Sequence, residues 1–178
     1  MSGFANEYAD GMYSLARDEG FTESALAELD TIADAFVSER AFVQLLDNRA
    51  VPLSSREAAL REVLSGRVHP YILNFLMLLT KRGGIREFPA CVKRFRDDYY
   101  SDNNISLAEV CSASPLTDDQ RESVRAKISE ITGKRIILKE RVDASLLGGI
   151  RVDVDGRRID NTLKTRMETL KRLMRQDA

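Results

Sequence analysis

The sequence predicts an α+β protein, with an N-terminal six-helix bundle over residues 1–103 and a small α+β domain over 105–178 that closes with a β-hairpin and a C-terminal helix. Three observations lead there. Residues 1–103 keep a helical period throughout. Beyond Ser101-Asp102-Asn103-Asn104 that period gives way to alternation. In the stretch Leu146–Leu170, Ile150, Val152 and Val154 alternate with Arg151, Asp153 and Asp155, and Asp155-Gly156 suits the positive-φ positions of a two-residue hairpin turn.

The elements follow in order. Phe4, Tyr8, Met12 and Leu15 share one face of a first helix. Phe21, Ala25, Leu29, Ile32 and Phe36 do the same on a second, and Leu26, Ala33 and Val37 widen that face enough to need neighbours on more than one side. Ala41–Leu46 reads as a short third helix ended before Pro52. Ser54-x-x-Glu57 has the spacing of a capping box for a fourth, with Ala58, Leu60, Val63 and Leu64 facing inward. Tyr71–Lys81 is apolar nearly all round and belongs at the bundle centre, ended by Gly83-Gly84. Ile85–Tyr100 makes a sixth helix with Phe88, Val92, Phe95 and Tyr99 on one side. In the second half Ile105–Ala113 reads as a strand. Thr117-x-x-Gln120 caps a helix carrying Val124, Ile128 and Ile131, which Gly133 ends. Arg135–Val142 alternates with Ile136, Leu138 and Val142 on one face. After the hairpin, Asp160 can cap a last helix with Leu163, Met167, Leu170 and Met174 on one stripe.

The bulk composition narrows the function. The chain has 178 residues, 43% hydrophobic and 31% charged, which is globular and not disordered. Its 27 Lys and Arg against 28 Asp and Glu leave a net charge of −1, far from the basic balance of a protein that grips nucleic acid through phosphates. Two cysteines, Cys91 and Cys111, cannot build a disulfide framework or a zinc site, and read as reduced, partly buried thiols. The most apolar run, Tyr71–Leu79, is about half the ~20 residues that span a bilayer. The expectation is a soluble chain whose membrane association comes only through a partner.

Each chemical motif has a plainer structural reading. Gly148-Gly149 precedes a strand, not a helix, and no phosphate-loop pattern surrounds it, so close packing at the strand entrance explains it. Asp153-Val154-Asp155-Gly156 lacks the spaced acids of a calcium loop. His69, the single histidine, sits beside Pro70 and reads as a helix-start residue. Lys164, Arg166, Lys171, Arg172 and Arg175 either complement a helix C-terminus or form a docking surface for an acidic partner helix. The stripes Tyr8/Met12/Leu15 and Phe75/Leu78/Leu79 serve equally as core or as a groove for a partner's amphipathic helix, because both need the same spacing. Neither a catalytic residue nor a metal or cofactor site is expected.

Ordered motifs along the chain resemble one family. They are Tyr8-Ala9 with Leu15-Ala16, then Asn74-Phe75-Leu76 with Leu78-Leu79, then Glu109-Val110 with Ser112-Ala113 and Pro115-Leu116-Thr117, then Thr132-Gly133-Lys134, Val142-Asp143, Leu146 and Gly148-Gly149-Ile150. In order and spacing they resemble the F-type ATP synthase delta subunit, the oligomycin-sensitivity-conferring protein of mitochondria. The departures are Asp160-Asn161-Thr162 where the family has Asp-Gly-Ser, Asp153 at an often basic or amide position, and Gly84 where many members have Arg.

The resemblance implies a non-catalytic stator subunit on the cytoplasmic face of the cell membrane, held there through the synthase complex and without a cofactor. It implies that the bundle accepts the N-terminal helix of an alpha subunit in a groove between its first and fifth helices, which carries over to Tyr8, Met12, Leu15, Asn74, Phe75 and Leu78. It also implies that the C-terminal domain binds the C-terminal helix of the b-subunit stalk, for which Leu163, Met167 and Leu170 are the candidates. A small α+β enzyme would instead need a cleft with His69 or clustered carboxylates, and a generic helical adaptor would lack the strand-hairpin-helix ending.

Overall fold

The computed structural model describes residues 3–160 apart from residue 147. Among them are seven α-helices and a four-stranded sheet, an α+β architecture. The chain divides into two compact units, Met1–Tyr99 and Tyr100–Ala178. The C-terminal helix expected from Leu163, Met167, Leu170 and Met174 lies outside the described residues.

The first unit is helical: α1 (Gly3–Asp18), α2 (Thr22–Ser38), α3 (Arg40–Asp47), α4 (Leu53–Leu64), α5 (Pro70–Arg82) and α6 (Phe88–Asp102). Its centre is filled by Leu29, Leu46, Leu60, Ile72, Leu76, Leu79, Ile85, Phe88 and Phe95, all at or below 1% exposure. Truncating one such leucine to alanine typically costs about 2–5 kcal/mol. The sixth helix starts later than its periodicity suggests: Ile85–Glu87 is a 3-10 turn and α6 begins at Phe88. Pro89 suits that first turn, where a missing N–H leaves no bond unmade.

Several inward assignments are corrected. Val37 is 65% exposed, Val63 42% and Ile131 60%, and Ala58 is exposed as well. The face of α1 that packs inward is formed by Ala5, Ala9 and Ala16 with Met12 and Tyr13, while Phe4, Tyr8 and Leu15 are half-buried. The expected capping box at Ser54 does not form. Pro52 is the cap residue of α4, its carbonyl accepts from the N–H groups of Ser55 and Arg56, and Ser54 lies inside the helix. Proline fixes the φ needed just ahead of a helix, and this starts α4 two residues too early for Ser54 to cap it.

The second unit is built on β1 (Ile105–Ser112), α7 (Asp118–Thr132), β2 (Arg135–Val142), β3 (Ile150–Val154) and β4 (Arg157–Asp160). The sheet order is β2-β1-β3-β4, with β1 and β2 parallel and the other pairs antiparallel. A parallel pair needs a crossover, and α7 supplies it. Its start is a complete capping box: Thr117 Oγ1 accepts from Gln120 N, and Gln120 Oε1 accepts from Thr117 N at 3.0 Å. Ala108, Val110, Leu116, Ile128, Ile136, Val152 and Val154 form the core, with Val124, Leu138 and Ile150 against it.

The hairpin between β3 and β4 has the two-residue turn its sequence calls for. Val154 pairs with Arg157, and Asp155 and Gly156 both take positive φ, 48° and 74°. Gly148 and Gly149 sit at 139° and 82°, so the pair shapes the entrance to β3 through backbone conformations that side chains rarely adopt.

Candidate functional site

The candidate site lies between α1 and α5, so it depends on how α5 is held. His69 caps α5, its Nδ1 accepting from Tyr71 N at 3.4 Å, and Pro70 follows at the first helical position. The same histidine anchors α5 to the start of α2. Its ring stacks on Phe21 with centroids 4.0 Å apart, and its backbone N–H donates to Glu28 Oε2 at 2.7 Å. At the other end Gly83 takes the left-handed conformation, and its N–H and that of Gly84 satisfy the last carbonyls. Arg56 closes the arrangement from beneath. Its Nη1 donates to the carbonyls of Leu46 at 3.0 Å and Thr80 at 3.4 Å, and its Nε to that of Val51 at 3.1 Å.

The position of α1 is set by its alanine face, by the edge-on contact of Tyr13 with Phe95, and by Asp10, which accepts from Arg94 Nε at 2.8 Å. At its start the Phe4 ring lies where a Cβ on Gly84 would stand. Gly84, noted as a departure from the usual Arg, is thus the residue that lets the two helix ends close up.

What remains between α1 and α5 is an open furrow of 390 Å³. Its walls have the same spacing: Tyr8, Gly11, Met12 and Leu15 on α1, and Tyr71, Asn74, Phe75 and Leu78 on α5, with Glu7 at the rim. All six groove candidates from the sequence, Tyr8, Met12, Leu15, Asn74, Phe75 and Leu78, therefore line one furrow. Met12 and Phe75 form its buried floor, at 5% and 7% exposure, and Leu78 stands open at 40%. Of the stripe Phe75/Leu78/Leu79, which the spacing left open between core and groove, Leu79 is fully buried while Phe75 and Leu78 line the furrow. Glu7, Gly11 and Tyr71 were not singled out in the sequence. Gly11 was accessible there, since it completes the spacing of Tyr8, Met12 and Leu15, but glycine carries no hydrophobic signal.

A second furrow of 630 Å³ runs between α2, α3 and α4, over Ile32, Phe36, Phe42, Val63 and Leu64. The exposure of Val63 follows from it.

The sheet unit offers a polar surface instead. On the face away from α7, Glu109, Arg141, Arg151, Asp153 and Arg158 surround Cys111 in a hollow of 430 Å³. These charges are largely paired, Arg158 with Asp153 at 2.7 Å and Lys139 with Glu109 at 3.9 Å. Beside the hairpin, Asp155 is held below the usual carboxylate range by the Ser106 hydroxyl at 2.7 Å and the Lys134 ammonium at 3.0 Å. The b-subunit candidates Leu163, Met167 and Leu170 lie outside the described residues.

The remaining reactive groups are accounted for by structure. Both cysteines are free and buried, and burial, with the Glu87 charge, pushes the Cys91 thiol up to about 11, which leaves it protonated and weakly nucleophilic at neutral pH. Among the described residues no cluster of three or more His, Cys, Asp or Glu is placed to hold a metal, and no helix is long and apolar enough to cross a membrane.

Fold and furrow together define a class: an α+β protein whose helical unit leaves an elongated apolar trough open to solvent. Comparison with known proteins makes the class specific. The family model described as ATP synthase delta (OSCP) subunit matches residues 4–174. ATP synthase subunit delta of Rhizobium etli is 31% identical over 179 residues, covering 98% of this chain and 94% of the relative. The same subunit of Clostridium kluyveri is 28% identical over 167 residues, covering 94% and 92%. A chain in the cryo-EM structure of the Toxoplasma gondii mitochondrial ATP synthase hexamer shares the fold at a TM-score of 0.69 and 18% identity, over 97% of this chain and 98% of that one. The chain belongs to the ATP synthase delta (OSCP) subunit family.

Proposed function

We propose that this chain is the peripheral-stalk subunit of an F-type ATP synthase, contributing to ATP synthesis and ion transport by holding the catalytic head still against rotor torque. In this reading the helical unit acts as a six-helix bundle that takes the N-terminal helix of an alpha subunit into the furrow between α1 and α5. The C-terminal unit grips the C-terminal helix of the membrane-anchored b-subunit stalk. The protein works at the cytoplasmic face of the cell membrane and is peripheral, attached through the complex alone.

The supporting observation is that Tyr8, Met12 and Leu15 on one helix and Asn74, Phe75 and Leu78 on another, the positions the family resemblance implies, converge on one trough. Such a role asks for affinity and stiffness, not turnover. About 800 Å² per partner at each end suffices for specific binding, and carrying both contacts on one chain raises the effective concentration of the second.

The test is a titration of the ¹⁵N-labelled full chain with a synthetic peptide matching the N-terminal segment of the same organism's alpha subunit. Amide shifts should concentrate on α1 and α5. Shifts confined to α2–α4 or to the sheet unit, or no binding at all, would rule the furrow out as the alpha site.

A further inference from the structure

Gly11 is an expensive residue in its position. It sits in the interior of α1 and is exposed, where glycine costs about 0.5–1 kcal/mol relative to alanine. Gly84, outside any helix, is required by the Phe4 ring, which occupies the space a side chain would take, and Gly83 by its left-handed φ. At Gly11, among the described residues, nothing outside the backbone of its own helix lies within 4 Å of a Cβ placed there. Its φ is that of an ordinary helical residue, so no turn requires it either. Yet it lies on the wall of the furrow, between Tyr8 and Met12 on one side and Leu15 on the other.

We infer that Gly11 is the crossing point of the bound helix: the occupant passes over α1 there with its backbone at the near end of the 8–10 Å range of packed helix axes, and presents a basic side chain to Glu7. The spacing of both walls, residues 8, 11, 12 and 15 facing 71, 74, 75 and 78, is the ridge pattern that receives a helix of the same repeat. A missing side chain in the middle of one ridge is where such a helix comes closest. Glu7 is the one charged residue among those lining the furrow, and it has no ion pair among the described residues. Its neighbour Asp10 is already bound by Arg94. A cation on the occupant's flank complements it, and an acid there would be repelled. The inference rests on the furrow being the alpha-subunit site and adds what the occupant must look like: a small residue at the crossing and a basic flank.

The experiment measures both stability and binding in the full chain, using the fluorescently labelled N-terminal peptide of the alpha subunit as probe. Gly11→Ala and Gly11→Leu place good helix formers at an open position, so each should raise Tm, by about 2–4 °C. Both should weaken the peptide, Gly11→Leu by about tenfold or more, or 1.4 kcal/mol. Glu7→Lys should weaken it most at low salt. A stability gain with unchanged affinity in both Gly11 variants would overturn the crossing point. So would a fall in Tm for Gly11→Ala, which would show that the chain itself needs the glycine. Unchanged affinity in Glu7→Lys overturns the basic flank. Leu78→Ser separates this from the parent reading. If it weakens the peptide while Gly11→Leu does not, the furrow stands and the crossing point falls. If neither does, or the wild-type chain ignores the peptide, the furrow reading falls as well.

Discussion

Arg56 is 8% exposed, and among the described residues its partners are main-chain carbonyls, not carboxylates. It connects the end of α3, the loop before α4 and the last turn of α5 through one planar group. Replacing it with Met keeps most of the volume and removes the donor to the carbonyls of Leu46 and Val51, while that of Thr80 keeps the Gly83 N–H. Arg56→Met should cost about 2–4 kcal/mol in urea denaturation, and Arg56→Lys should recover less than half of that, because an ammonium cannot span the same fork. Asp155 makes a charge-dependent contribution at the other unit. Its folded pKa is depressed by Ser106 and then Lys134, so its stabilisation is present above the unfolded value near ~3.9 and is lost as pH falls through the lower folded value. Its side chain is 41% exposed, which keeps the effect small. Asp155→Asn preserves the turn, since asparagine also accepts positive φ. The variant should lose hydrogen-exchange protection at Val152 and Val154 at neutral pH and match the wild type in acid. A deficit that persists unchanged into acid would mean that the charge is not its source.

At the scale of elements, capping separates what the sequence reveals from what it hides. Thr117-x-x-Gln120 and Ser54-x-x-Glu57 have the same pattern, and only the first forms a box. The difference lies in Pro52, whose ring and carbonyl start α4 before Ser54 is reached. Thr117→Ala should therefore cost about 1 kcal/mol and Ser54→Ala less than about 0.5 kcal/mol, read from thermal unfolding. An equal loss at both sites would contradict the assigned helix start. Strands were legible because alternation and the Asp155-Gly156 turn are local. The parallel pairing of β1 with β2 is not local, and no spacing in the chain announces it. Nor does hydrophobicity reveal the packing face of α1: Ala5, Ala9 and Ala16 carry little apolar signal, while the larger Tyr8 and Leu15 beside them face the furrow. The sequence left Phe75 and Leu78 open between core and groove for a related reason, since an apolar side that stays open reads like an apolar side already covered.

At the scale of the whole molecule, the sequence held the α+β class, the family followed from ordered motifs spread over the chain, and the six positions that resemblance implied line one furrow. It did not hold the second furrow, whose residues Val63 and Leu64 were assigned inward by periodicity alone. A stator subunit is tested best in its assembly. Leu78→Ser removes an exposed apolar side chain and should change the stability of the chain by less than about 0.5 kcal/mol. In synthase-containing membranes it should increase release of the catalytic head during low-salt washing, about tenfold if Leu78 is a central contact. Retention equal to the wild type would remove Leu78 from the interface.

The sheet order has a consequence during synthesis. β1 occupies an interior place, yet both of its neighbours, β2 and β3, are translated after it. At bacterial-like elongation of about 5–20 residues per second, the interval between completion of Ser112 and of Val154 is about 2–8 s. Until Val142 completes β2, a strand containing Ile105, Leu107, Val110 and Cys111 offers two bare edges to any passing nascent chain, and one edge stays bare until β3 is made. Ribosome-bound chaperones should therefore engage this polypeptide most strongly when β1 has left the exit tunnel and β3 has not.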